Sequence, residues 1–351
     1  MRTLFRRLPV GIIIATLSFA PWIYAQRIPR LGTDSGPGEQ DPGISESQPD
    51  EHSAATLKVN VDVVQLIFNV KDKKGTLIPG LTKDDFKLFE DGKPQTIKYF
   101  TPESNLPLTL GILIDSSGSQ QRVLGMEQQI GADFLEQIIQ PKDEAFVISF
   151  DVEVNLLQDF TNSTHMLRTA LDSARINAPP DSCTSLPGAG GGPLPCTSTP
   201  KGTLLYDAVY LAAHDELAQE AGRKAMILLT DGEDQGSKLK INEAIESAQK
   251  ADTICYVLLI ADRKFYGGFY SGDREMKMLA DDTGGRVIDV GDKPDKLKQA
   301  FDQISQELRS QYDIGYTSTN RAKDGTFRRV EIKPKEKNYR IQARSGYYAS
   351  K

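Results

Sequence analysis

The feature that most constrains the fold is a regular alternation of apolar runs and amphipathic stretches along residues 108–310. The apolar runs are short and unbroken, which is typical of parallel strands covered by helices on both faces. The predicted strands are 108–114, 145–150, 154–160, 225–229, 253–260 and 286–290, and the predicted helices are 122–139, 164–175, 204–220, 241–250, 274–281 and 295–310. This order predicts an α/β domain, doubly wound around a mostly parallel sheet.

The two segments that flank this domain alternate apolar and polar residues, which indicates half-buried β-strands. Turn sequences interrupt them at 72–75, at Asp91-Gly92 and at Asp324-Gly325. Neither segment has enough strands to bury a core alone. We therefore predict that an N-terminal β segment, 56–104, pairs with a C-terminal one, 311–351, in a small β-sandwich-like unit beside the α/β domain, 105–310.

The first residues have the composition of a targeting segment. Arg2, Arg6 and Arg7 precede an apolar stretch, 8–19, and Ile23-Tyr24-Ala25 forms an imperfect small-residue cleavage site. We expect a signal peptide over 1–25 and a disordered linker, rich in Gly, Pro, Ser and acids, over 26–55. The chain is then periplasmic or secreted; an uncleaved leader that anchors it to the membrane is the alternative.

Charge and motif content exclude two classes of partner. Without residues 1–25 the chain has 39 basic and 48 acidic residues, a net charge of −9, whereas nucleic-acid-binding proteins usually present a basic surface. The first strand of the α/β domain is followed by neither a dinucleotide-binding glycine motif nor a P-loop. We therefore expect no nucleic-acid partner and no nucleotide.

The three cysteines suit an oxidising compartment. Cys183 and Cys196 flank a loop rich in Gly and Pro, and we predict a disulfide bond between them, because a metal site would need a further Cys or a His nearby. Cys255 lies within the apolar run 253–260 and is expected to be buried.

Polar side chains follow the ends of the predicted strands, where open parallel sheets bind ligands. Asp115, Ser117 and Ser119 follow the first strand, Asp231 follows a later one, and Thr203 begins a helix between them. All five offer oxygen, the ligand that hard cations such as Mg²⁺ prefer. Gly118 is expected to let the first loop turn around the ion. Hydroxyl ligands are neutral and leave the ion with residual charge, so an acidic side chain of a partner could complete its coordination.

These residues also resemble a known site. D-S-S-G-S at 115–119, G-T-L-L-Y-D-A at 202–208 and L-L-T-D-G at 228–232 are similar to the metal-ion-dependent adhesion site (MIDAS) of von Willebrand factor A (VWA) domains. The resemblance implies direct metal contacts from Ser117, Ser119 and Thr203, and contacts through water from Asp115 and Asp231. The flanking segments resemble those of a bacterial exported "VWFA-related" family.

The function predicted from these residues is metal-dependent protein binding, or adhesion. Mg²⁺, Mn²⁺ or Ca²⁺ would capture an Asp or Glu of a protein partner. Catalysis is disfavoured because the three histidines, His52, His165 and His214, lie away from the strand ends. Two alternatives remain: a metal-dependent hydrolase of the cell envelope with Glu233 as general base, and a structural envelope protein. The aromatic loop 265–270 is either a contact surface or packed on its own domain.

Overall fold

The computed structural model describes residues 63–102, 106–176, 202–260 and 272–351, which all lie in one compact unit. The predicted signal peptide and linker, the Cys183–Cys196 disulfide and the aromatic loop lie outside the described residues. No helix within the described ranges is both long and apolar enough to span a bilayer.

The described residues form fourteen strands and six α-helices. The strands are β1 (Val63–Lys71), β2 (Phe86–Glu90), β3 (Lys93–Gln95), β4 (Ile97–Pro102), β5 (Leu108–Asp115), β6 (Glu144–Phe150), β7 (Val154–Thr161), β8 (Arg223–Thr230), β9 (Thr253–Leu259), β10 (Arg286–Asp289), β11 (Tyr312–Thr317), β12 (Phe327–Pro334), β13 (Arg340–Ala343) and β14 (Gly346–Tyr348). The helices are α1 (Leu124–Ile138), α2 (Thr164–Ser173), α3 (Leu205–Leu211), α4 (Ile241–Lys250), α5 (Gly272–Thr283) and α6 (Pro294–Arg309).

The α/β domain is built on a six-stranded sheet in the order β10-β9-β8-β5-β6-β7. Every neighbouring pair is parallel except β6 and β7, which pair antiparallel at one edge. Helices α1, α2 and α6 contribute to the core on one face, and α3, α4 and α5 to the core on the other. The predicted doubly wound α/β fold is confirmed.

The central strand β5 shows why this sequence needs two layers of helices. All eight of its residues are buried. Leu110 and Ile112 pack in the core with α1, α2 and α6, whereas Leu113 packs in the opposite core. Successive strand residues point to opposite faces, so an apolar residue at every position requires cover on both sides.

The flanking segments form a β-sandwich of two four-stranded antiparallel sheets. One sheet has the order β13-β1-β11-β4 and the other β14-β12-β2-β3, so each sheet combines strands from both segments. Their inner faces share one core, in which the rings of Phe68 and Phe86 meet edge to face with centroids 5.2 Å apart. The small sandwich expected from the alternating sequence is therefore present.

Two elements differ from the sequence-based expectation. The helix predicted over 204–220 is α3 followed by a π-helical segment, Ala212–Leu217. The last part of the predicted C-terminal β segment, 339–347, alternates like one strand but contains two, β13 and β14, and between them the backbone N–H of Ser345 donates to the carbonyl of Asp282 at 3.1 Å. That bond docks the bend between the two strands on the end of α5, and a Cβ at Gly284 would lie 2.6 Å from the backbone nitrogen of Arg344.

Candidate metal centre

Asp115, the last residue of β5, is fixed between two neighbouring strands. The parallel register places Ile114 opposite Leu229, so Asp115 lies beside Thr230 of β8. Its Oδ2 accepts a hydrogen bond from the Thr230 hydroxyl at 2.8 Å, and its Oδ1 accepts from the backbone N–H of Ser117 at 2.9 Å. The carboxylate is completely buried. Both of its oxygens are therefore held at the carboxyl end of the sheet.

The loop after β5 brings two hydroxyls together. A short 3-10 turn, Gly118–Gln120, follows Ser117, and the Oγ atoms of Ser117 and Ser119 are 3.0 Å apart. This distance is short enough for both oxygens to contact one ion. The expected role of Gly118 is wrong: its φ is not positive, and a Cβ there would have no atom within 4 Å. The turn therefore does not depend on glycine at this position.

Thr203 is joined to the same edge by a chain of hydrogen bonds. The Ser116 hydroxyl donates to the carboxylate of Asp151 at 2.9 Å, and the carbonyl of Asp151 accepts from the N–H of Leu204 at 2.8 Å. The carbonyl of Thr203 accepts from Gln235 at 3.1 Å, in the loop after β8. Thr203 itself is only 7% exposed. Asp151, which follows β6, and Thr230 support the site and were not identified from the sequence.

Asp231 supplies the second buried carboxylate of the site. It is 2% exposed, and its Oδ1 accepts from the N–H of Glu233 at 3.1 Å. Burial, followed by the charge of Asp231, raises the pKa of Asp115 to about 7, and the hydrogen bonds from Ser117 and Thr230 offset only part of this. The nearby charge of Asp231 therefore disfavours the ionised form of Asp115.

A third acid, Glu127 of α1, lies near the pair and was also missed. It is completely buried, and neither carboxylate oxygen has a hydrogen-bond partner among the described residues. Burial, and then the charges of Asp115 and Asp231, raise its pKa well above the ordinary value. The cause is desolvation, because an ionised carboxylate without partners is very costly in an apolar interior. Its position in a helical pattern gave no sequence signal that would distinguish it from a surface glutamate.

The donor set fits a divalent cation. Three hydroxyls and two buried carboxylates are hard oxygen ligands, and a positive ion would relieve the repulsion between Asp115 and Asp231. Within the described ranges, no three His, Cys, Asp or Glu side chains form a metal-binding group. A metal site here would depend on the hydroxyls of Ser117, Ser119 and Thr203. The assignment of metal to these five residues remains a prediction.

The residues considered for catalysis lie in other environments. His165 is exposed on α2, and the ring of His214, in the π-helical segment, lies 2.7 Å from the carboxylate of Asp215. The carboxylate of Glu233 accepts from the N–H of Gly272 at 3.2 Å, at the start of α5. This bond gives Glu233 a role in holding the loop after β8 against α5.

Solved structures of other proteins are similar to part of this chain. No protein-family model matches the chain, and no curated protein matches its sequence. The conserved hypothetical protein BatB from Bacteroides thetaiotaomicron has a TM-score of 0.41 at 18% identity, over 58% of this chain and 100% of its own. The vWF domain of the type V pili tip protein Mfa5 from Porphyromonas gingivalis has a TM-score of 0.40 at 15% identity, over 58% of this chain and 95% of its own.

A third structure is proximal thread matrix protein 1 from the mussel byssus, described with zinc in its MIDAS motif. Its TM-score is 0.45 at 14% identity, and the match covers 62% of this chain and 49% of the mussel chain. At these TM-scores the structural similarity does not indicate a function. The fold is established by the chain's own strand order and helices, and it is the doubly wound fold that the resemblance to VWA domains implies.

Proposed function

We propose that this protein is a metal-dependent interaction module of the cell exterior. Ser117, Ser119 and Thr203 would hold a divalent cation, Mg²⁺ or else Mn²⁺ or Ca²⁺, with Asp115 and Asp231 beside it. The cation would supply a Lewis-acidic position for a carboxylate of a protein partner. The proposal rests on one observation. The hydroxyls of Ser117 and Ser119 lie 3.0 Å apart just after β5, whose last residue, Asp115, has a buried carboxylate.

The charges of the site support binding of an acidic group. Hydroxyl ligands are neutral and do not lower the charge of a bound cation. Asp115 and Asp231 already accept hydrogen bonds from their own loops, and Asp115 also from Thr230 of β8, which holds them in place as supporting groups. A bound cation would therefore keep enough positive charge to bind an Asp or Glu side chain of a partner.

We infer that the site binds and does not catalyse. A metal-dependent hydrolase needs a general base beside the activated water. Glu233 was the only candidate from sequence, and its carboxylate is bonded to the backbone of Gly272. The proposed extracytoplasmic location, periplasmic or secreted, depends on the basic and apolar composition of residues 1–25.

Calorimetric titration of the purified chain with Mg²⁺, Mn²⁺ and Ca²⁺ tests the proposal. We expect one site per chain in the wild type and loss of that site in a Ser117→Ala/Ser119→Ala variant. The matched control is Thr169→Ala/Ser350→Ala, which removes two exposed hydroxyls elsewhere on the molecule. Equal metal binding by all three proteins would show that the metal lies elsewhere and would overturn the proposal.

A further inference from the structure

A groove lies between the β-sandwich and the α/β domain, away from the candidate metal centre. Its volume is about 900 Å³, at the upper end of the range for ligand pockets, about 300–1,000 Å³. Its walls include the first residues of β1, the end of α4 with Asp252, and the loop between β11 and β12. Asp252 directly precedes β9, so the groove is at the amino end of the parallel sheet, whereas the metal centre is at the carboxyl end.

The charge of this groove is opposite to that of the whole chain. The full sequence has a net charge of −6. Among the described residues, however, the groove is lined by six cationic side chains and one side-chain carboxylate, that of Asp252. The cations are Lys250, Arg321, Lys323, Arg328, Arg344 and Lys351. A concave surface lined by one sign of charge concentrates its field and attracts ligands of the opposite sign.

Some of these cations are engaged within the protein. Lys250 pairs with Glu246, Arg344 with Asp252, and the buried guanidinium of Arg328 lies 3.8 Å from the carboxylate of Glu90. Arg321, Lys323 and Lys351 are exposed at the groove and extend its positive charge toward solvent. Asp324, in the same loop, turns its carboxylate toward the N–H and hydroxyl of Thr326.

The shape of the groove indicates an extended ligand with several negative charges. Its cations come from α4, the loop before β12, β12 itself, the bend before β14 and the C-terminal residues, so no small anion could contact them all. A second cavity of about 300 Å³ shares Gln65, Gln249, Asp252 and Arg344 with it and continues toward Lys224 and Glu220. A flat membrane surface would not reach into such a cleft.

An edge strand and two aromatic rings lie at the same place. β14 is the outermost strand of its sheet, and an extended peptide can pair with the backbone of such a strand. Tyr347 and Tyr348 of β14 line the groove, and Lys250 lies over the ring of Tyr348, 5.2 Å from its centroid. We propose that this groove binds an extended acidic peptide segment of a partner protein, independently of metal.

The test uses a fluorescein-labelled peptide that alternates Glu and Ser, added to the full chain and followed by fluorescence anisotropy. A peptide with Gln in place of Glu is the uncharged comparison. We expect the Glu peptide to bind, the Gln peptide not to bind, and the affinity to fall between low salt and about 0.15 M salt, where charges are screened beyond about 8 Å. Addition of a chelator, or the Ser117→Ala/Ser119→Ala change, should leave binding unchanged.

The groove variant is Arg321→Glu/Lys323→Glu/Lys351→Glu, which changes exposed side chains only. We expect it to weaken binding by about tenfold or more, because reversed charges in a cleft repel the peptide. The control, Lys73→Glu/Lys74→Glu/Lys337→Glu, makes the same change in net charge on exposed residues outside the groove and should retain affinity.

Four results would overturn this proposal. They are absence of binding, equal weakening in the groove and control variants, tighter binding to phosphatidylglycerol vesicles than to the peptide, and loss of binding with chelator. The last result would place the acidic peptide at the metal and would support the proposed function instead, so the two proposals fail separately.

Discussion

Replacement of Asp115 by asparagine should stabilise the metal-free protein at alkaline pH while it abolishes metal binding. Burial and the charge of Asp231 raise the pKa of Asp115 from 3.8 to about 7. A group whose pKa is raised by folding contributes stability that is complete below its unfolded pKa and is lost as the pH rises through its folded pKa. The metal-free wild type should therefore lose stability between about pH 4 and pH 7 as Asp115 ionises.

The size of this effect follows from the shift. A difference of about 3 pKa units corresponds to about 4 kcal/mol of unfolding free energy, at 1.36 kcal/mol per unit. The introduced asparagine has no charge to bury, but its amide cannot accept the hydrogen bonds from both Ser117 and Thr230, which costs about 1–2 kcal/mol. We expect the variant to be less stable than the wild type near pH 4 and more stable by about 2–3 kcal/mol at pH 8.

Urea unfolding of metal-depleted wild type and Asp115→Asn, measured from pH 4 to pH 8, gives the difference directly. Asp292→Asn, at an exposed position, is the matched control and should follow the wild type. Addition of Mg²⁺ at pH 8 should stabilise the wild type, by about 2.7 kcal/mol at a hundredfold excess over the dissociation constant, and should not affect Asp115→Asn. A stability difference between wild type and variant that does not change with pH would refute the reasoning.

Three further changes should affect stability in ways that urea unfolding can measure. Glu90→Ala should lower the free energy of unfolding by about 3–5 kcal/mol, because it leaves the buried guanidinium of Arg328 without the carboxylate it pairs with. A decrease below about 1 kcal/mol would mean that this ion pair contributes little to stability. Gly285→Ala should lower the free energy of unfolding by more than about 2 kcal/mol, since the new Cβ would lie 1.9 Å from the carbonyl oxygen of Cys255. An unchanged midpoint of urea unfolding would contradict this close approach. Glu127→Leu should stabilise the metal-free protein by about 1–3 kcal/mol, because an apolar group replaces a buried carboxyl that has no hydrogen-bond partner among the described residues. Destabilisation would show that the carboxyl is needed.

The fold could be predicted from the sequence for strands and helices in which burial determines which residue type occupies each position. Every residue of β5 is apolar or small up to Asp115 because both faces of the strand are covered, and the same pattern identifies the other parallel strands. The alternating pattern of the flanking segments indicated the sandwich for the same reason. Details that depend on single hydrogen bonds were not predictable. The bond from Ser345 to Asp282, which lies at the bend between β13 and β14, has no sequence signature.

The candidate site was predictable only in part. Of the five proposed oxygen ligands, Asp115, Ser117, Ser119 and Asp231 lie at or just after strand ends, and Thr203 lies just before α3. Ligands bind at this edge of open parallel sheets, so these positions could be identified from the sequence. Glu127 and Asp151 were missed for different reasons. Glu127 lies in the helix α1 and becomes unusual only through its complete burial beside Asp115 and Asp231. Asp151 follows a strand end as Asp115 does, and the same rule applied to β6 would have identified it.

Residues distant in the sequence should hold one cation at the end of the parallel sheet. Anomalous scattering from crystals grown with Mn²⁺ would locate that cation. We expect a single strong anomalous peak within coordination distance of the hydroxyl oxygens of Ser117, Ser119 and Thr203. A peak elsewhere, or an anomalous map without a peak beside these hydroxyls at saturating Mn²⁺, would contradict it.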